Sequence, residues 1–108
     1  MKKRNTSKKV QNLKQALTAI QKKSEDLKKL KVLHLGLFGS FARENQKPSS
    51  DVDILVEFNE PVGFFHFYDV KIFLESILGR KVDLIVEDAL RPEMRERIKE
   101  ELVSASWE

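Results

Sequence analysis

Apolar residues near the start of the chain recur at intervals of three, four and seven positions. This spacing is typical of one face of an α-helix and predicts a helix of about twenty residues. The helix belongs to an N-terminal extension over residues 1–30. Its apolar stripe could cover the sheet of the same domain or bind a partner helix, and core packing is the favoured interpretation. The stripe consists of Val10, Leu13, Leu17, Ile20, Leu27 and Leu30.

Three strand-sized segments rich in apolar residues follow this helix. Gly39 and Ser40 interrupt the first segment, and a short helix over residues 41–45 is predicted next, with Ser40 near its N-cap. The composition of residues 46–50 is typical of a loop. The predicted strands are 31–38, 51–58 and 81–86.

Two longer helices are predicted in the second half of the chain. One covers residues 64–78 and ends at Gly79, where a left-handed C-cap is expected. The other starts near Pro92, because proline is favoured in the first helical turn. One side of this helix carries Met94, Ile98, Leu102 and Val103.

The order of these elements predicts an α/β (α+β) fold, in which helices pack on a small mixed β-sheet. A length of 108 residues fits a single domain over 1–108, with its core over 31–104. The chain has no cysteine, which rules out disulfides and thiolate metal sites. With neither a signal peptide nor a membrane span in the sequence, a cytoplasmic protein that does not enter the membrane is expected.

The net charge of +3 arises largely from lysine and arginine in the first thirty positions. Such a run could attract RNA or an acidic protein, but a solvated helix face is the favoured interpretation. The residues concerned are Lys2, Lys3, Arg4, Lys8, Lys9, Lys14, Lys22, Lys23, Lys28 and Lys29.

The segment from Gly39 to Asp53 carries the most specific chemical pattern. A glycine directly after a strand lets the backbone turn sharply and lets a ligand approach. Ser40 then offers a hydroxyl and an N–H group beside a helix N-terminus, which suits a triphosphate. Taken alone, however, a glycine–serine pair is equally consistent with a simple capped turn.

Three aspartates are candidate metal ligands. Asp51 and Asp53 are two positions apart on a predicted strand, so their side chains share one face with backbone positions about 6.6 Å apart. Both could therefore bind one pair of Mg²⁺ ions, since two-metal phosphoryl-transfer sites hold ions about 3.5–4 Å apart. Asp83 interrupts an apolar strand and would be costly to bury unpaired. An exposed acidic strand end or edge is the alternative for each of them.

These motifs resemble those of the minimal nucleotidyltransferases, or MNT domains, the small prokaryotic members of the polymerase-β-like superfamily. The similarity covers about residues 33–102 and includes the segments Ala42-Arg43 and 81–84. The resemblance implies that Asp51 and Asp53 bind both Mg²⁺ ions and that Asp83 completes the site for the ion that activates the attacking hydroxyl. It also implies that Gly39 and Ser40 contact the phosphates of ATP, with a structural or phosphate-facing role for Arg43. Glu44 departs from the family, in which glycine is common at this position.

The resemblance further implies transfer of AMP from ATP to a hydroxyl group. In this family, small MNT proteins are antitoxins that act on a tyrosine of a HEPN-type RNase toxin. A non-catalytic antitoxin that acts by complex formation is one alternative, and a transferase for a small molecule or an RNA end is another. Oligomer formation is also left open.

Aromatic residues are unusually dense in the helix predicted over residues 64–78. They could form a partner interface, although core packing in a thin domain is the favoured interpretation. Neither histidine has metal-ligand spacing: His34 is expected to be packed, whereas His66 could face a partner. The aromatic residues are Phe64, Phe65, Phe67, Tyr68 and Phe73.

Overall fold

The computed structural model describes residues 9–105, over which the chain forms one four-stranded sheet with helices on both faces. The short 3₁₀ turn Glu87–Ala89 follows the third strand. In chain order the other elements are α1 (Leu13–Lys22), α2 (Ser24–Lys29), β1 (Val32–Phe38), α3 (Gly39–Arg43), β2 (Val52–Phe58), α4 (Phe64–Leu78), β3 (Val82–Val86), α5 (Pro92–Glu101) and β4 (Val103–Ala105).

The sheet has the strand order β3-β2-β1-β4 and is mixed. β1 pairs with β2 and with β4 in antiparallel fashion, whereas β2 and β3 are parallel. Parallel neighbours need a crossover connection, which α4 provides. The prediction of a small mixed sheet packed by helices is confirmed.

Two apolar clusters cover the opposite faces of the sheet, as the period-2 alternation of a strand requires. The larger cluster joins α1, α2 and α4 to one face, with Ile20, Leu27 and Leu74 fully buried. The smaller cluster joins α5 to the other face through Leu55 and Ile98. A cavity lies between α5 and this face of the sheet.

The predicted single N-terminal helix is wrong, because two helices with a break at Lys23 replace it. The backbone of Lys23 leaves helical geometry, and its N–H group donates to the carbonyl of Ile20 at 3.0 Å. No glycine or proline marks the break, which redirects the chain so that Leu27 packs beneath the sheet. Val10 precedes the helices, and its N–H donates to the Leu78 carbonyl at 2.9 Å.

The short helix after β1 begins two residues earlier than predicted. It starts at Gly39 with Phe38 as its N-cap, so Ser40 lies within the first turn instead of capping it. The helix ends at Arg43, and its C-cap residue Glu44 adopts a left-handed conformation with φ of 59°. Glycine adopts this conformation without steric cost, which accounts for the frequency of glycine at this position in the MNT domains that the sequence resembles.

The predicted extent of the last helix is also wrong at its C-terminal end. α5 ends at Glu101, Leu102 is extended, and Val103 begins the short edge strand β4 beside β1. Leu102 still packs against the smaller cluster, but from extended backbone. Three residues are too few for periodicity to reveal a strand, so only its pairing with β1 defines it.

Of the predicted basic run, Lys2, Lys3, Arg4 and Lys8 lie outside the described residues. The later lysines of the run are exposed or half-buried at the surface, as expected for a solvated face. None of the helices described between residues 9 and 105 is long and apolar enough to span a bilayer.

Candidate active site

The register of the sheet places two of the three predicted aspartates side by side. Asp53 near the start of β2 pairs directly with Asp83 near the start of β3. On its other side, Asp53 pairs with Phe38, the residue before Gly39. The glycine–serine turn and the aspartates therefore meet at one edge of the sheet, although Asp83 is 44 positions away from Gly39 along the chain.

Asp83 is exposed, which corrects the expectation that a carboxylate in this apolar strand would be buried. β3 is an edge strand, and its apolar neighbours Val82 and Leu84 point into the core while Asp83 points away from it. The cost of burying a lone carboxylate therefore gives no reason to place a metal ion at Asp83. Asp83 remains a candidate ligand because it lies beside the half-buried Asp53.

Asp53 has an environment that disfavours its ionised form. Partial burial raises the pKa of its carboxyl group, and the nearby charges of Asp83 and Asp51 raise that pKa further. The positive charge of Arg43 acts in the opposite direction but is the smaller influence. A divalent cation at this position would relieve the repulsion among the three carboxylates.

Position 39 requires glycine because of its backbone conformation and because of the atoms that surround it. Its φ of 73° is in the left-handed region, and a Cβ atom at this position would lie 2.0 Å from Oδ2 of Asp53. The Asp53 carboxylate therefore occupies the space that any other residue at position 39 would need. Of the predicted phosphate-binding pair, Gly39 is buried and Ser40 is half-buried beside it.

A carboxylate that the sequence analysis missed lies against the same turn. Oε2 of Glu101, the last residue of α5, accepts a hydrogen bond of 2.8 Å from the Gly39 N–H group. Its other oxygen, Oε1, accepts one of 2.9 Å from Nη1 of Arg43. The Gly39 N–H donor and the Arg43 guanidinium lower the pKa of the Glu101 carboxyl group. Arg43 thus has a charged partner within the chain.

A cavity of about 400 Å³ opens beside these groups on the face covered by α5. Its polar wall includes Arg97, which the sequence analysis also missed. Asp51, Asp83 and Ser40 lie outside this wall. Glutamate and arginine are common on exposed helices, so nothing in the local sequence distinguishes Glu101 and Arg97. The cavity is lined by Phe38, Gly39, Arg43, Asp53, Ile85, Met94, Arg97, Ile98 and Glu101.

The donor set at this edge fits Mg²⁺ in its chemistry. Carboxylate oxygens are preferred ligands of Mg²⁺, and the charges of Asp83 and Asp51 add to the effect of partial burial in raising the pKa of Asp53. Within residues 9–105, no group of three acidic or histidine side chains converges into a ready-made metal cage. Mg²⁺ does not need one, since it usually keeps water and phosphate oxygens beside one or two carboxylates.

Arg80 holds the loop that leads into the acidic strand, a role that sequence reasoning missed. Its side chain is buried, with Nη1 donating to the carbonyls of Pro48 at 3.0 Å and Ser50 at 2.9 Å. Its Nε donates to the Val10 carbonyl at 2.6 Å. The guanidinium also lies over the Phe41 ring, 4.9 Å from its centre. These contacts fix the position from which Asp51 projects.

The aromatic residues divide between core and surface. Phe67 and Phe73 pack against the larger cluster, as the favoured interpretation predicted. Phe64, Phe65 and Tyr68 do not, with exposed fractions of 70%, 81% and 47%. Core packing is therefore the wrong interpretation for these three side chains.

The two histidines contact the chain's own residues. His34 is half-buried, and its Nε2 lies 3.0 Å from the Ser104 hydroxyl. His66 donates to the Leu30 carbonyl at 2.5 Å and packs edge-on against Phe58. Its ring therefore faces the chain's own backbone instead of a partner.

Comparison with known proteins identifies the family. The model of the nucleotidyltransferase domain matches residues 13–105, which includes every element of the sheet. The chain belongs to the nucleotidyltransferase domain family. This nucleotidyltransferase is 33% identical to the protein adenylyltransferase MntA of Thermococcus cleftensis over 94 residues, which are 87% of the chain and 93% of that relative. It is 40% identical over 76 residues to a candidate protein adenylyltransferase of Methanocaldococcus jannaschii, covering 69% and 78% of the two chains.

Solved structures show the same fold. A candidate minimal nucleotidyltransferase superposes on this nucleotidyltransferase with a TM-score of 0.73 at 31% identity, covering 86% of the chain and 95% of that structure. A chain from a toxin–antitoxin complex with AMP-PNP superposes with a TM-score of 0.66 at 18% identity, covering 91% and 75%. A chain from the complex of the AMPylated HEPN toxin of Shewanella oneidensis with its MNT antitoxin has a TM-score of 0.56 at 19% identity, covering 82% and 72%. The expected resemblance to MNT domains is confirmed.

Proposed function

We propose that this nucleotidyltransferase transfers AMP from ATP, in the presence of Mg²⁺, to a tyrosine hydroxyl of a cognate HEPN-type toxin and thereby acts as its antitoxin. The observation that carries the proposal is the direct pairing of Asp53 with Asp83 beside the turn at Gly39. Relatives named as protein adenylyltransferases support a protein acceptor.

Each site residue has a proposed task. Asp51, Asp53 and Asp83 would hold two Mg²⁺ ions, which when bound neutralise charge on the phosphates and favour ionisation of the acceptor hydroxyl. The N–H groups of Gly39 and Ser40 would bind the phosphate oxygens that leave with pyrophosphate. The protein contributes positioning and charge complementarity to an in-line displacement at the α-phosphate.

The exposed side chains of α4 support a macromolecular acceptor over a small molecule. Phe65, Tyr68 and Ile72 follow one another at intervals of three and four positions and form an apolar stripe on the outer face of the helix. Exposed aromatic groups at this density are typical of protein interfaces. The ring of Phe64 lies at the start of the same stripe.

The proposal is tested by incubating the protein with labelled ATP and Mg²⁺, with and without a HEPN-type protein encoded beside it, followed by intact-mass analysis of both chains. A mass increase of one AMP on the partner's tyrosine, abolished in Asp53→Asn, is the expected result. Asp26→Asn is the matched control, because Asp26 is exposed on α2 and belongs to no part of the site.

Other outcomes identify the alternatives. A stable complex without any mass change, equal for wild type and Asp53→Asn, would replace the proposal with an antitoxin that acts by binding alone. Label on RNA or on a small molecule, with none on the partner, would replace the acceptor. Equal transfer by wild type and Asp53→Asn would refute the assigned metal site.

A further inference from the structure

The Glu101 carboxylate occupies the Gly39 N–H group, one of the two donors that the proposed function assigns to phosphate, and it also binds the neighbouring Arg43 guanidinium. It accepts from the Gly39 N–H at 2.8 Å and from Arg43 Nη1 at 2.9 Å, with one oxygen for each donor. The Glu101 side chain is only partly exposed, with a relative accessibility of 29%. A carboxylate and a phosphate are both oxyanions, so they satisfy the same N–H groups in the same manner.

The single Gly39 N–H group cannot donate fully to a phosphate oxygen while an oxygen of Glu101 accepts from it. A second negative group beside the Glu101 carboxylate would also be repelled by it. The contact therefore weakens the binding of any anion at this turn.

We propose that Glu101 is a built-in competitor of the nucleotide's phosphates, which must leave Gly39 and Arg43 before a triphosphate binds there. The inference rests on the proposed function for the location of the phosphate site. It adds a residue from α5 that controls access to that site, 62 positions after Gly39 in the chain.

The surroundings of Glu101 allow its side chain to move without displacing α5. Leu102, the next residue, is packed closely over Gly36, where a Cβ atom would lie 2.7 Å from Cδ1 of Leu102. This contact holds the end of α5, so release of Glu101 requires only rotation of its side chain. Arg97 lies one helical turn earlier on the same cavity wall and provides a cation for the released carboxylate.

Binding of pyrophosphate and of a non-hydrolysable ATP analogue is measured calorimetrically in EDTA for the wild type and for three variants. Glu101→Gln removes the charge. Glu101→Asp keeps the charge, but its shorter side chain cannot reach both donors together. Glu100→Gln removes an exposed charge from the neighbouring position and is the control for net charge.

We expect tighter binding of both probes by Glu101→Gln and Glu101→Asp. If Glu101 occupies the donors about nine-tenths of the time, its removal raises the apparent affinity about tenfold. Glu100→Gln should stay within about twofold of wild type, because exposed charges are screened at physiological salt. Tighter probe binding by Glu101→Gln alone would indicate simple charge repulsion. Unchanged or weaker probe binding by both Glu101 variants would indicate that Glu101 stabilises the turn. Either result overturns the inference.

The outcome is separable from that of the proposed function. Tighter probe binding in both Glu101 variants without AMP transfer to any acceptor would retain the competitor and refute the transferase. AMP transfer by the wild type, with unchanged probe binding in the Glu101 variants, would retain the transferase and refute the competitor. Thermal unfolding of each variant without ligand verifies that the fold is intact in the binding measurements.

Discussion

Replacement of Gly39 by alanine tests whether the turn and the acidic strand form one structural unit. The added Cβ would lie 2.0 Å from Oδ2 and 2.9 Å from Cγ of Asp53, at a backbone φ of 73°. No real Cβ contact is so short, so either Asp53 must rotate or the turn must move. Both responses disturb the site that the motif builds.

The expected cost has two sources and one offset. A left-handed conformation costs an alanine about 1–2 kcal/mol, and an Asp53 side chain forced off its rotamer costs about 0.5–1.5 kcal/mol. The reduced freedom of alanine in the unfolded chain returns about 0.4–1 kcal/mol. The net loss in free energy of unfolding is therefore about 2 kcal/mol, with a lower melting temperature by about 8–16 °C for a domain of this size.

Urea denaturation of Gly39→Ala and of a matched variant, Gly63→Ala, measures this cost. Gly63 has no atom within 4 Å of its ideal Cβ position, and its φ is −81°, so alanine fits there. Gly63→Ala should change stability by less than about 0.5 kcal/mol. Mn²⁺ titration of the folded protein should show weaker ion binding in Gly39→Ala only, because Asp53 is displaced.

Equal stability of the two alanine variants would refute the reasoning, since it would mean that position 39 has neither the left-handed backbone nor the contact with Asp53. A destabilised Gly39→Ala with unchanged ion binding would retain the conformation but refute the displacement of the carboxylate.

Three further predictions concern Arg80, Asp53 and Phe65. Arg80→Lys should lower the free energy of unfolding by about 2–4 kcal/mol, because an ammonium group cannot reach all the carbonyls that the guanidinium bridges. Chemical denaturation of this variant and of Arg91→Lys, which changes an exposed arginine, measures the difference. Equal effects of the two substitutions would contradict the prediction. Asp53→Asn should stabilise the metal-free protein at pH 7, because the pKa of Asp53 is raised in the folded state. That gain should fade as the pH falls through the raised pKa and vanish below the unfolded value of 3.8, so a lower melting temperature for the variant at pH 7 in EDTA would be inconsistent with the electrostatics. Phe65→Ser should leave thermal stability unchanged and reduce modification of a protein acceptor, whereas Phe67→Ser should destabilise the fold; a loss of stability in Phe65→Ser would place its ring in the core instead.

The elements that the sequence predicted well are those with strong local patterns. β2 and α4 appear within a residue of the predicted bounds because their apolar spacing and the glycine at position 79 are local signals. The direct pairing of Asp53 with Asp83 is not a local signal, because it depends on the order of the strands in the sheet. The register decides which face of the sheet each carboxylate occupies. The strand order makes β3 an edge strand, on which Asp83 is exposed.

What the local pattern did not contain is the set of contacts between distant segments. The break at Lys23 depends on packing beneath the sheet, and β4 depends on pairing with β1. Arg80 reaches Val10 across 70 positions, and Glu101 reaches Gly39 across 62. Periodicity and spacing report the hydrophobic faces and the turn chemistry of neighbouring residues, so the sequence by itself determined the elements and the family motif. Which charged side chains surround that motif was decided by the tertiary structure, because folding brings α5 and the residues after α4 against a site built from β1, β2 and β3.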